Sequence, residues 1–532
     1  MKKSNFMEGA VIASFAIILT KIIGVLYVIP FYSIIGEQGG ALYGYAYNIY
    51  NVFLIVSTAG IPLAISKITS EYNTLKKEKE KTYLYHIASK SIRIFSLLSF
   101  LLCFIFAKPL AHLIIGDISG GNTIQDVQFV IRCVSFALLV VPSLSIMRGY
   151  LQGHKYIAAS SISQVVEQVS RVAVILGGSF LCLKVFHLKI TTAVGVAVFG
   201  ACIGALCAYF YLLTKSRGLE KYDKAHELNK NKKKEVIKKV ISYILPFIMI
   251  SVSGSLYNST DMILLIRGLN NIGYNAQDIE NISSIFTTWG NKLVSIVTAL
   301  GTGVIMSLLP SIVSSYVKKD HDKVNTEFNK ALQILFFIIL PISCFASVFA
   351  REIWTIFYGA NKFGPIVMRY LFVVAFFDAS FTMTCSALQG MNKRGVIYTS
   401  VLIGLGLNAI LDIPLIYLFD KLHIYPFYGA ITATLIGYSL SLMYVLISLH
   451  KLDNLNYSDT FKKMPWQFLK TGLILSICFL ISRLFATVVN RFYLILIVGV
   501  VGILFVFSYY LLNKKIINEM LGKDFFKKLL KK

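Results

Sequence analysis

The sequence predicts an all-α integral membrane protein of 14 transmembrane helices: two parallel-related six-helix lobes plus two C-terminal helices. Three observations carry that prediction. Of 532 residues, 56% are hydrophobic and only 15% charged, with a mean hydropathy of +0.69, whereas ordinary soluble domains carry about 25% charged residues. Apolar runs of the ~20 residues needed to cross ~30 Å of hydrocarbon recur from end to end. Short motifs also return in the second half of the chain at a nearly constant offset.

The first run, 9–35, follows Lys2 and Lys3 but is too long for a signal-peptide core and lacks a small-residue cleavage site, so it reads as a retained span. Runs at 42–66, 91–115, 127–150, 158–183 and 190–214 complete an N-terminal lobe over 1–214. The one sizeable hydrophilic segment, 215–240, carries ten Lys or Arg and reads as a cytoplasmic basic linker. Six more runs, 241–267, 285–315, 329–350, 366–390, 395–419 and 427–449, form the second lobe over 241–450. Two additional helices, 468–489 and 492–513, occupy 466–513, and 514–532 is a basic cytoplasmic tail.

The duplication shows in three collinear matches. Gly24-Val25-Leu26-Tyr27 returns as Gly254-Ser255-Leu256-Tyr257, the stretch 106–116 as 349–359, and Leu151-Gln152-Gly153 as Leu388-Gln389-Gly390. Six spans per repeat is an even number, so both halves keep one orientation, a known transporter plan.

The net charge of +26 does not indicate nucleic acid. The cations fill gaps between apolar runs, as at Lys76, Lys77, Lys79 and Lys81 or at Lys232, Lys233 and Lys234. The positive-inside rule then places both termini in the cytoplasm and makes anionic membrane lipids natural partners. The eight cysteines lie in apolar stretches without CxxC or zinc-site spacing. No P-loop sequence occurs, so transport is expected to be ATP-independent. Without a central histidine or a substantial outer loop, an integral membrane enzyme is disfavoured. No cofactor is expected.

Charges inside spans carry the functional signal, because they are costly there. Lys21 lies about 18 Å into its span, and Lys292 lies in the eighth; each either faces a watery cavity or is structurally paired. Glu167 and Arg171, at i and i+4, form either a self-neutralising ion pair or a gating pair that opens during transport. Asp261, Asp378 and Asp412 are the buried acids of the second half, and Asn408 stands one turn before Asp412. Asp261, Asn408 and Asp412 offer oxygen ligands for Na⁺ or a site for H⁺; the alternative pairs the acids with Arg267 or Lys292.

Thr20-Lys21-Ile22-Ile23-Gly24, the stretch 60–67 (GIPLAISK) and Arg148-Gly149-Tyr150-Leu151-Gln152-Gly153 resemble motifs of the MOP exporter superfamily, polysaccharide-transport branch. Within it the chain is most similar to the Gram-positive lipid II flippase (MurJ type) and stage V sporulation protein B group. The resemblance implies lobes around a V-shaped cavity and alternating access. It implies substrate binding by Lys21 and Lys292, with Tyr27 standing where better-known members carry a second basic residue. It also implies a cation site of Asp261, Asn408, Asp412 and Thr434. The expected function is export of a polyprenyl-diphosphate-linked saccharide, foremost the peptidoglycan precursor lipid II, across a bacterial cytoplasmic membrane. The expected protein is a monomer whose partners are the lipid-linked oligosaccharide and cell-wall synthesis proteins. The rivals are a flippase for a capsule, teichoic or spore-cortex unit, a cation-coupled multidrug antiporter, and a scaffold for wall-synthesis enzymes.

Overall fold

A computed structural model of the chain describes residues 15–16, 19–58, 60–116, 121–216, 229–484 and 490–521. Lys2, Lys3, most of the basic linker and the end of the tail lie outside the described residues. All regular structure among the described residues is helical. Among the described residues, ten helices are long and apolar enough to span a membrane, or eleven if one bent pair counts as a single span. That pair is α1 (Leu19–Leu26) and α2 (Val28–Thr58), bent by about 40°.

The chain divides into two compact units, Met1–Trp289 and Gly290–Lys532. Unit 1 continues with α3 (Ile61–Thr74), α4 (Glu78–Ile105), α5 (Ala107–Ile115), α6 (Ile124–Ser135), α7 (Ala137–Gly153), α8 (Ile157–Ala173), α9 (Ile190–Ser216), α10 (Lys230–Ile272) and α11 (Ala276–Ser284). Unit 2 holds α12 (Gly290–Val317), α13 (His321–Ile334), α14 (Leu340–Val348), α15 (Ala350–Tyr358), α16 (Gly364–Gly390), α17 (Arg394–Lys421), α18 (Phe427–Asp453), α19 (Ser458–Leu484) and α20 (Arg491–Leu521). Several spans contain π turns, at Val174–Gly178, Leu181–Val185, Ile285–Trp289 and Leu335–Ile339.

Apolar periodicity over 9–35 and 42–66 does not show where the chain bends. The helix α2 runs through both predicted spans, broken at Gly36, whose φ of 63° and ψ of −157° suit only glycine. A second break falls at Gly60, which precedes α3 with φ 70°. Pro62 at the start of α3 needs no backbone donor there.

Hydrocarbon solvent gives helices no hydrophobic reason to associate, so close packing of small residues must hold them together. The stretch 148–153 provides it. A Cβ on Gly149 would lie 2.6 Å from the carbonyl oxygen of Pro62, and one on Gly153 would lie 2.6 Å from Cβ of Thr69. Thus α7 presses its backbone onto α3. Unit 2 carries a related contact, where a Cβ on Gly390 would lie 2.5 Å from Val313 of α12. The Tyr150 ring fills the space beside the α7–α3 contact, 4.3 Å from the Tyr85 ring and 4.4 Å from that of His154.

A polar clamp joins α2, α6, α9 and α11 of unit 1. Glu280 of α11 accepts the backbone N–H of Asn122, and the Asn122 amide donates to the Gln38 carbonyl at 3.1 Å. Thr123 and Asp126 form a capping box at the start of α6, and Asp126 accepts from Thr191 at 2.6 Å. Burial, with Asp126 adding repulsion, pushes the Glu280 carboxyl up to about 7 against the lowering effect of Asn122. A carboxyl with a folded pKa above its unfolded value makes the native state bind more protons, so stability falls as pH rises.

Two measurements check these packing arguments. Gly149→Ala should cost about 1–3 kcal/mol of overpacking strain and lower the melting temperature of the purified protein. Gly472→Ala, where an added Cβ meets nothing within 4 Å, should not. The Glu280 penalty develops between pH 4.5 and about 7. Accordingly, Glu280→Gln should raise the melting temperature clearly at pH 8 and by much less at pH 5.

Candidate functional site

In unit 1 three charged residues inside spans, Arg148, Glu167 and Arg171, converge. Glu167 accepts from Arg171 one turn along α8, and from Arg148 of α7 at 2.9 Å. Arg148 also donates through Nε to Ser163 Oγ at 2.8 Å, and Gln152 donates to Ser160 Oγ at 2.9 Å. The polar residues of the 148–153 motif therefore tie α7 to α8, while its glycines tie α7 to α3. A sequence reading recognises the Glu167–Arg171 spacing but misses Arg148 as its second partner. The available signal was that both were strongly charged residues in apolar spans.

Two guanidinium groups share one carboxylate, so the cluster keeps one net positive charge. Arg148 Nη2 and Arg171 Nε are buried and have no acceptor among the described residues. Tyr43, Tyr47 and Tyr50 of α2 lie beside the Arg171 guanidinium, with the Tyr43 and Tyr47 rings stacked at 4.4 Å. Spare planar donors held in a low-dielectric setting suit the oxygens of an anion.

Lys21 is exposed, one helical turn before Gly24 of α1. A Cβ on Gly24 would stand 3.5 Å from the side-chain amide of Gln168, next to Glu167 on α8. The first helix thus approaches, at Gly24, the helix that carries the ion cluster. Tyr27 sits at the α1–α2 break, only 6% exposed, beside Phe31 and Tyr43. Asp261 is half-buried on α10. Arg267 donates to the Leu113 carbonyl at 3.0 Å.

In unit 2, Asn408, Asp412 and Thr434 come together. Asn408 and Asp412 are fully buried on one face of α17, and the Asn408 amide donates to Thr434 Oγ1 of α18 at 3.1 Å. Thr434 in turn donates to the Ala430 carbonyl at 3.1 Å. An amide oxygen, a carboxylate and a hydroxyl form the donor chemistry a hard cation takes. Asp378 is half-buried on α16. Lys292 is half-buried near the start of α12, immediately after the π turn Ile285–Trp289. Among the described residues no group of three His, Cys, Asp or Glu is arranged to hold a metal ion.

Comparison with known proteins connects these features. The family model described as "Polysaccharide biosynthesis protein" matches residues 6–300, and the MatE model matches residues 287–413. The chain is 31% identical over 470 residues to the lipid II flippase MurJ of Bacillus subtilis (strain 168), covering 86% of this chain and 85% of the relative. It is 22% identical to stage V sporulation protein B of the same organism, covering 76% of each. Its fold resembles the solved lipid II flippase MurJ in an inward closed conformation, with a TM-score of 0.68 at 17% identity, over 95% of this chain and all (100%) of that one. An inward-facing multidrug resistance MATE transporter of the MOP superfamily gives 0.59 at 14% identity, over 81% of this chain and 96% of that one. Half the chain matched by one family model, and a relative above 30% identity along most of its length, establish kinship. The chain belongs to the polysaccharide biosynthesis protein family, with the lipid II flippase MurJ among its relatives, and is a multi-pass membrane protein related to transporters rather than to enzymes.

Proposed function

We propose that the protein is an ATP-independent flippase that exports a polyprenyl-diphosphate-linked saccharide, foremost lipid II, by alternating access. The observation that carries this reading is the surplus of cationic donors in unit 1. Arg148 and Arg171 share one carboxylate, and Lys21 stands exposed on the neighbouring helix. A diphosphate offers the oxygens these donors lack, and attraction between unlike charges strengthens as water is excluded. Tyr27, buried and aromatic, supplies no second cation on α1; Arg171 and Arg148 supply that charge from α8 and α7.

Glu167 acts as the gating partner in this scheme. It neutralises one guanidinium while no substrate is bound, and a diphosphate replaces it. With both termini cytoplasmic and fourteen spans, export moves the anion away from a negative interior. The membrane potential then contributes about 2.3 kcal/mol per charge per 100 mV. A returning Na⁺ or H⁺, carried as a second substrate at Asn408, Asp412 and Thr434, resets the cycle. The family resemblance also assigns a cation-binding role to Asp261 and a substrate-binding role to Lys292. Multidrug export is the second reading, favoured by the MATE fold. A cationic drug would meet the net positive cluster of unit 1, so this reading is the weaker.

Lys21→Ala and Lys292→Ala should each abolish rescue of a strain depleted of its own lipid II flippase while membrane protein levels hold; normal growth of both would remove these lysines from the mechanism. Arg171→Gln leaves Arg148 and Glu167 as a neutral pair. It should reduce lipid II translocation in proteoliposomes at least about tenfold, the loss of one charge-assisted contact, with little change in melting temperature. A large stability loss with unchanged transport per folded molecule would make Arg171 purely structural.

A further inference from the structure

Unit 1 contains a groove of about 320 Å³ lined by Ile65 of α3, Ala88 and Phe95 of α4, and Ile237, Ile241 and Ile248 of α10, among other residues. Its wall is almost wholly apolar. Phe95 and Ile241 remain 47% and 56% exposed, so protein side chains leave the groove open. Ile237, Ile241 and Ile248 recur on one face of α10, and Lys234 stands on that face three residues before Ile237.

The lysine-rich start of α10 is fixed in place around this mouth. Lys232 pairs with Glu80 at 3.5 Å, Lys233 lies 5.8 Å over the Tyr83 ring, and Lys239 pairs with Glu71 at 2.5 Å. Lys234 is exposed. From Lys234 to Ile248 the helix rises about 21 Å, more than one leaflet's share of a ~30 Å hydrocarbon core. The groove therefore pairs a long hydrocarbon slot with a cationic mouth. A peptide would need hydrogen-bond partners for its backbone that this wall does not offer. An amphiphile with a negative head and an extended chain fits both ends.

We propose that this groove holds one acyl chain of an anionic phospholipid from the leaflet at the lysine-rich end, its phosphate received by Lys233 and Lys234. The lipid would add to the packing of α10 against α3 and α4. This site is separate from the ion cluster on α7 and α8 and does not depend on what the protein transports.

Native mass spectrometry of the purified full-length chain tests the assignment, with phosphatidylglycerol or phosphatidylcholine added during delipidation. The wild type should retain one phosphatidylglycerol in preference to phosphatidylcholine by roughly thirtyfold, the effect of two lysines near an anionic head. Lys233→Glu with Lys234→Glu should erase the preference, whereas Lys318→Glu with Lys319→Glu should not. Ala88→Trp, which fills the groove, should release both lipids; if it expresses poorly, Ile241→Trp at a half-exposed position serves the same purpose. Equal retention of the two lipids by the wild type would overturn the proposal. So would retention unaffected by filling the groove, or displacement of the phospholipid by undecaprenyl diphosphate at equal concentration.

Discussion

The organisation of unit 1 depends on the cost of charge in hydrocarbon. A carboxylate placed within a span must find cations, and Glu167 finds two, one on its own helix and one on α7. Leaving that carboxylate with neither guanidinium would cost about 3–5 kcal/mol, so the positions of α7 and α8 are tightly coupled. The same arithmetic leaves one positive charge over. A structural ion pair would balance; this cluster does not, and the imbalance gives it a reading beyond architecture.

The helical fold was legible because hydrocarbon demands that every backbone group be satisfied within the helix. Apolar run length therefore located most of the helices. It did not locate the breaks. Gly36 and Gly60 interrupt the first two predicted spans through their backbone angles, which a hydropathy window cannot register. Span counting from sequence gave 14, against ten or eleven helices that meet the length and hydropathy criteria among the described residues.

At the candidate site, local relations were readable and distant ones were not. Helical spacing placed Glu167 beside Arg171, and Asn408 on one face with Asp412. The link from Asn408 to Thr434 came through family resemblance, and the structure places the two in hydrogen-bond contact. Arg148 escaped because nothing in the spacing of residues 148 and 167 shows that α7 and α8 approach there. Glu280 escaped for a similar reason: its partner Asn122 lies 158 residues away in sequence, and the Gln38 carbonyl that Asn122 donates to lies a further 84 residues back.

The π turns change how substitutions should be compared among relatives. Each inserts a residue that shifts the side-chain direction of everything downstream by about 100° relative to an uninterrupted α-helix. After Val174–Gly178, a stripe drawn at regular helical intervals from Arg171 points to the wrong side chains. The wider turn is also where a one-residue gap could be absorbed by reverting to ordinary helix. Alignments that force ungapped columns through α8 would match residues facing different neighbours, so the reading frame of each helix face needs to be reset at that point.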